Sequence, residues 1–77
     1  MSAITHILIV EDLPEMAELM EFHLLECGFD VFLVDRGERA LEKLDEGFSG
    51  VVILDLRLPD FEGLELFSLI RERDADN

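Results

Sequence analysis

Three short apolar runs constrain the fold of this chain more than any other feature of its sequence. They cover residues 7–10, 31–34 and 51–54, and none shows the apolar–polar alternation of a strand with one solvated face. Such runs are typical of strands that are buried on both faces of a parallel sheet. The segments between them carry apolar residues at helical spacing. The order β-α-β-α-β-α predicts parallel strands joined by right-handed helical crossovers.

We expect a single domain over residues 1–77, with α/β architecture and helices on both faces of the sheet. Its strands are predicted at about 6–11, 30–34 and 51–55, and its helices at about 14–27, 37–46 and 62–73. With the first strand in the centre, the strand order is 2-1-3. Six residues at helical spacing should turn the first helix towards the sheet, and these are Met16, Leu19, Met20, His23, Leu24 and Cys27.

Charge excludes several classes of function. The 77 residues include 19 acidic and 6 basic residues, for a net charge of −13. A nucleic-acid binder needs Lys and Arg for phosphate contacts, and an anionic membrane surface would repel this chain. The apolar runs are too short to cross a bilayer. The single cysteine and the absence of a signal-peptide pattern lead us to expect a cytoplasmic protein.

Carboxylates follow two of the predicted strands directly. Glu11 and Asp12 follow the first strand, and Asp55 follows the third. In a 2-1-3 sheet the chain reverses direction between these strands, and ligands bind beyond the carboxyl ends at such a point. One acid at a strand end is ordinarily a solvated turn residue. Three converging acids repel unless a cation lies between them, and Mg²⁺ prefers oxygen ligands, so we expect a Mg²⁺ site here.

Three segments carry a resemblance to a known family. The sequences ILIVED at 7–12, GERAL at 37–41 and DLRLPDFEG at 55–63 resemble the receiver domain of two-component response regulators. An acidic pair followed by an Asp-x-x-x-Pro-x-x-x-Gly loop, in this order, is a specific combination. The resemblance extends from residue 7 to about residue 73 and implies a flavodoxin-like fold.

The resemblance also implies a role for each candidate site residue. Asp55 would be the phospho-acceptor. Asp12 would be a direct ligand of Mg²⁺, Glu11 would act directly or through water, and the backbone carbonyl of Arg57 would be a further ligand. The phosphoryl donor would be a histidine kinase or a phosphotransfer protein, and the protein would act in phosphorelay signal transduction rather than as an enzyme. Asp60 and Glu62 are expected to be solvated loop residues.

In the family that this sequence resembles, the receiver domain is a five-stranded (βα)₅ sandwich of roughly 120 residues. The present sequence has counterparts of the first three units. The Ser or Thr of the fourth strand and the Lys of the fifth, which in the family take part in switching and in contacting the phosphoryl group, have no counterparts among these 77 residues. We therefore expect a truncated receiver whose third strand forms an exposed apolar edge. Such an edge pairs with another chain, so we expect a homo-oligomer.

The sequence leaves three other interpretations open. The chain could be a truncated or engineered half-domain that self-associates through its third strand and cannot switch. It could be a receiver that serves as an interaction module without phosphorylation, although it retains all three acids. A metal-dependent hydrolase is disfavoured because no general base is evident beyond these acids.

Overall fold

The computed structural model describes residues 4–55 and 57–75, and these contain three strands and three helices. The strands are β1 (His6–Val10), β2 (Asp30–Val34) and β3 (Val51–Leu54), and the helices are α1 (Pro14–Glu26), α2 (Gly37–Asp45) and α3 (Gly63–Ala75). Each boundary lies within two residues of its expected position. Leu56, the first residue of the expected loop after the third strand, lies outside the described residues.

β1 is the central strand of the sheet. It pairs in parallel with β2, where Ile7 lies opposite Val31, and with β3, where Ile7 lies opposite Val51. The strand order is β2-β1-β3, which confirms the predicted α/β fold with order 2-1-3. One crossover leads from β1 outwards to β2, and the next leads back across β1 to β3. Right-handed crossovers in opposite directions place α1 and α2 on opposite faces of the sheet.

The main core lies on the face of the sheet that α2 and α3 cover. Its buried members are Leu8 and Val10 of β1, Ala40 of α2, Leu66 of α3 and Leu58 from the loop after β3. Successive side chains of a strand point to opposite faces, so Ile7 and Ile9 belong to the other face, and both are buried. β1 is therefore buried on both faces, which is the environment that its uninterrupted apolar run predicts.

α1 is less buried than its apolar spacing predicts. Ala17 is buried, but Met16 and Leu19 are 46% and 53% exposed, and His23 and Cys27 are exposed as well. The prediction that Met16, Leu19, His23 and Cys27 face the sheet is therefore wrong. The helix packs over β1 and β2, and this surface covers only a narrow strip of the helix around the small side chain of Ala17. Among the described helices, none combines the length and apolar character that crossing a membrane requires.

A matched pair of leucine substitutions tests whether β1 anchors the fold. Leu8 is fully buried, so L8A should lower the free energy of unfolding by about 3 kcal/mol. Leu64 is 75% exposed, so L64A should change it by less than about 0.5 kcal/mol. Urea denaturation followed by circular dichroism measures both values. Equal decreases in the free energy of unfolding of the two variants would contradict the described core.

Candidate metal centre

Three acidic side chains meet at the carboxyl end of the sheet. Glu11 and Asp12 follow β1, Asp55 follows β3, and one carboxylate oxygen of each lies within 4.8 Å of the others. Backbone hydrogen bonds of the sheet continue past the strand ends. The Asp55 N–H donates to the Val10 carbonyl and the Glu11 N–H donates to the Val34 carbonyl, each at 3.0 Å. The parallel sheet thus holds side by side the three acids that the sequence places after its strands.

Glu11 is the most buried of these carboxylates. It is 9% exposed, whereas Asp12 and Asp55 are half-buried. Burial raises the pKa of Glu11 above its ordinary value of 4.5, and a side-chain hydrogen bond with Asp55 and the charges of Asp55 and Asp12 raise it further. The Leu13 N–H donates a hydrogen bond to Glu11 Oε2 at 3.3 Å, and this bond offsets only part of the increase in the pKa. The raised pKa thus reflects first the burial of Glu11 and second its two acidic neighbours.

The donor set of this site fits a hard divalent cation. All three side chains offer carboxylate oxygens, the ligands that Mg²⁺ and Ca²⁺ prefer, whereas softer metals favour nitrogen or sulfur. A cation among the three oxygens would offset the repulsion from Asp55 and Asp12, which adds to the effect of burial on the pKa of Glu11. The group is therefore suited to Mg²⁺ by the chemistry of its ligands and by its electrostatics.

The loop 57–62 after Asp55 is closed on itself and anchored in the core. Arg57 and Glu62 form an isolated antiparallel bridge, and Leu58 between them is part of the core cluster. The Arg57 N–H donates to Asp55 Oδ1 at 3.0 Å. Arg57, whose carbonyl is the candidate ligand, thus contacts the phospho-acceptor candidate Asp55 through its backbone N–H, and this hydrogen bond restricts the orientation of the Asp55 carboxylate.

Asp60 in this loop caps α2 from outside the helix. The residue before α2 is Arg36, whose guanidinium has no acceptor and cannot bind the free N–H groups of a helix start. Asp60 takes this role, because its Oδ1 accepts the Gly37 N–H and its Oδ2 accepts the Glu38 N–H, both at 2.9 Å. We expected a solvated loop residue here. The signal that could have revealed the contact is a helix start without Ser, Thr, Asp or Asn.

The cap makes the stability of the fold depend on pH. Burial raises the pKa of Asp60, but the N–H groups of Glu38 and Gly37, with the charge of Arg36, outweigh it and hold this pKa below its ordinary value of 3.8. Such a carboxyl stabilises the fold above its unfolded pKa, and this stabilisation is lost as the pH falls through the folded pKa. The D60N variant keeps one acceptor oxygen but loses the charge.

We predict that D60N has a lower free energy of unfolding than the wild type at pH 7, by roughly 0.3–1 kcal/mol. The difference should shrink as the pH falls below the ordinary value of 3.8, because the Asp60 carboxyl then becomes protonated. Urea denaturation of both proteins over a pH series measures it. A difference that stays constant from pH 7 into this acid range would contradict a charged cap.

Comparisons with known proteins cover most of the chain. A family model described as "Response regulator receiver domain" matches residues 7–77. The transcriptional regulatory protein TrcR of Mycobacterium tuberculosis (strain ATCC 25618 / H37Rv) is 37% identical over 69 residues, which are 90% of this chain and 27% of that protein. The luminescence regulatory protein LuxO of Vibrio campbellii (strain ATCC BAA-1116) is 33% identical over 67 residues, which are 87% of this chain and 15% of LuxO.

Solved structures share the fold as well. The response regulator TrrA from Thermotoga maritima, in complex with Mg(2+)-BeF, has a TM-score of 0.88 at 37% identity, covering 95% of this chain and 64% of that chain. A complex of the histidine kinase ThkA with TrrA matches with a TM-score of 0.88 at 37% identity, and the match covers 95% of this chain and 63% of that chain. A CheY-like receiver domain from Methylobacillus flagellatus has a TM-score of 0.85 at 35% identity, and the match covers 90% of this chain and 58% of that chain.

Proposed function

Since this chain belongs to the response regulator receiver domain family, we propose that it accepts a phosphoryl group on Asp55 from a histidine kinase or a phosphotransfer protein. The Mg²⁺ ligands in this proposal are Glu11, Asp12, Asp55 and the backbone carbonyl of Arg57. The observation that carries the proposal is the meeting of three carboxylates at the end of the sheet. Support comes from TrrA, a similar protein whose solved structures are complexes with Mg(2+)-BeF and with a histidine kinase.

The proposed chemistry divides among the residues of the site. A carboxylate oxygen of Asp55 attacks the phosphorus atom, the bond from phosphorus to the donor breaks, and the donor leaves with the electron pair of that bond. The Arg57 N–H holds the Asp55 carboxylate in place through Oδ1. Glu11 and Asp12 supply the remaining carboxylate ligands. When bound, Mg²⁺ neutralises charge on the phosphoryl oxygens. The acceptor is the protein itself, so we propose a cytoplasmic signalling domain without enzymatic turnover.

The surface that we assign to the phosphoryl donor is the start of α1. Leu13, Met16 and Leu19 are 58%, 46% and 53% exposed, although all three are large and apolar. α1 begins two residues after Asp12, so this surface adjoins the carboxylates. A partner that binds here would cover apolar side chains and at the same time bring its phosphoryl group close to Asp55.

Intact mass spectrometry after incubation with Mg²⁺ and a small acyl-phosphate donor tests the proposed chemistry. We expect one phosphoryl adduct, because attack by Asp55 needs only a donor and a cation. Hydroxylamine, which cleaves acyl phosphates, should remove the adduct, and a chelator should prevent its formation.

The matched control for this experiment is D55N. The side-chain amide of this variant keeps an oxygen acceptor for the Arg57 N–H, but it is not a nucleophile, so we expect no adduct. An adduct of equal yield in D55N would place the acceptor elsewhere. A folded wild-type protein that forms no adduct would refute the proposed chemistry.

We also propose that two copies of this chain pair through β3. Among the described residues, β3 pairs with a strand on one side only. Val51 is 50% exposed, and a groove of about 790 Å³ beside the strand is lined in part by Val52, Leu54, Phe67 and Ile70. Pairing of two such edges around a two-fold axis would cover the apolar surface and the unpaired backbone groups. This is the second candidate function, self-association of the chain through its third strand.

Analytical ultracentrifugation tests the pairing. We expect dimers at micromolar concentration, and more dimer at higher ionic strength, because salt screens the repulsion between two chains of net charge −13. V51K places a charge on the edge and should give monomers. L64K changes a more exposed apolar residue of α3 and should leave the dimer intact. A wild-type monomer at all salt concentrations would contradict the pairing.

A further inference from the structure

The loop 57–62 and the start of α2 hold each other in place through two kinds of contact. The Asp60 carboxylate accepts the Gly37 and Glu38 N–H groups, as described above. The Phe61 ring packs directly on the backbone of Gly37, where a Cβ atom would overlap the ring and come within 3.0 Å of a methyl group of Leu66. Gly37 is itself buried. The neighbouring loop residues Asp60 and Phe61 therefore both contact Gly37, the first through a hydrogen bond and the second through an apolar contact.

The other end of the same loop touches the metal centre. The Arg57 N–H donates to Asp55 Oδ1, and the bridge between Arg57 and Glu62 closes the loop into a short, compact unit. Because Asp60 and Phe61 lie inside this closed unit, a displacement at α2 would displace the backbone of Arg57 as well. The loop thus connects the first turn of α2 to the carboxylates at the end of the sheet.

We propose that Asp60 is a positioning residue, which holds the loop against the first turn of α2 and thereby couples Mg²⁺ binding at the carboxylates to the order of that turn. The inference rests on the proposed function, because it takes the Arg57 carbonyl as a Mg²⁺ ligand. A loop that is already fixed loses little freedom when its carbonyl binds a cation, and a loose loop loses more. By thermodynamic linkage, Mg²⁺ stabilises the first turn of α2 by the same factor by which that turn favours Mg²⁺.

Isothermal titration with Mg²⁺ alone tests the first half of the coupling. We expect D60A to bind Mg²⁺ about three- to tenfold more weakly than the wild type, the effect of losing one or two ordering hydrogen bonds. The matched control is D45A. Asp45 lies at the other end of α2 and accepts a hydrogen bond from Arg73 Nε of α3 at 2.7 Å. Both variants remove one negative charge and one link between α2 and another segment, but only D60A touches the loop.

Amide hydrogen exchange tests the second half. In the wild type and in D45A, Mg²⁺ should slow exchange of the Gly37 and Glu38 N–H groups. In D60A this effect of Mg²⁺ should be lost. A cap that serves only stability would slow exchange equally with and without Mg²⁺. Circular dichroism establishes that each variant is folded, and D60N, which keeps one acceptor oxygen, replaces D60A should the latter unfold.

The possible outcomes separate this inference from the proposed function. A folded wild type that does not bind Mg²⁺ refutes the metal site and the coupling together. A wild type that binds Mg²⁺, with Asp60 variants whose affinity equals that of D45A, refutes the positioning role and leaves the metal site standing. Weaker binding in the Asp60 variants, together with loss of the Mg²⁺ effect on exchange, supports the coupling.

Discussion

Repulsion among three carboxylates at one end of a small sheet is the constraint on which the rest of this structure depends. Their oxygens lie within 4.8 Å of one another in a chain of net charge −13. The sheet holds the acids together despite this repulsion, because the side chains of β1 are buried on both faces and the backbone hydrogen bonds of the sheet continue to Glu11 and Asp55. Burial of Leu8, Ile9 and Val10, each with an exposure of 0%, offsets the unfavourable charge beside them.

The same constraint explains where the fourth acid of the region points. Asp60 lies five residues after Asp55, and a further charge directed at the cluster would add to the repulsion. Its carboxylate instead accepts two N–H groups at the start of α2, where the positive end of the helix dipole stabilises negative charge. α2 receives the cap that Arg36 cannot provide. These two hydrogen bonds therefore keep the Asp60 charge directed away from the three carboxylates and cap the first turn of α2.

The features that could be predicted from the sequence depend on local signals. Continuous apolar runs identify the strands. Glu11 and Asp55 come directly after two of them, and the topology of parallel strands predicts that these acids meet, as they do in the structure. The contact between Asp60 and Gly37 could not be predicted in this way, because it joins residues 23 positions apart. The exposure of Leu19 was missed for a related reason. Periodicity shows which side of a helix is apolar, but the width of the sheet beneath decides how much of that side is covered.

Two of the exposed apolar surfaces among the described residues differ in their chemistry. The edge of β3 offers backbone hydrogen bonds along its length, and these suit another strand. The start of α1 offers side chains alone, at the end of the sheet where the carboxylates lie. α1 packs over β1 and β2, whereas β3 forms the opposite edge of the sheet. A strand added to β3 would therefore leave α1 accessible, so the proposed pairing of two copies and the proposed docking of a phosphoryl donor would not compete for the same surface.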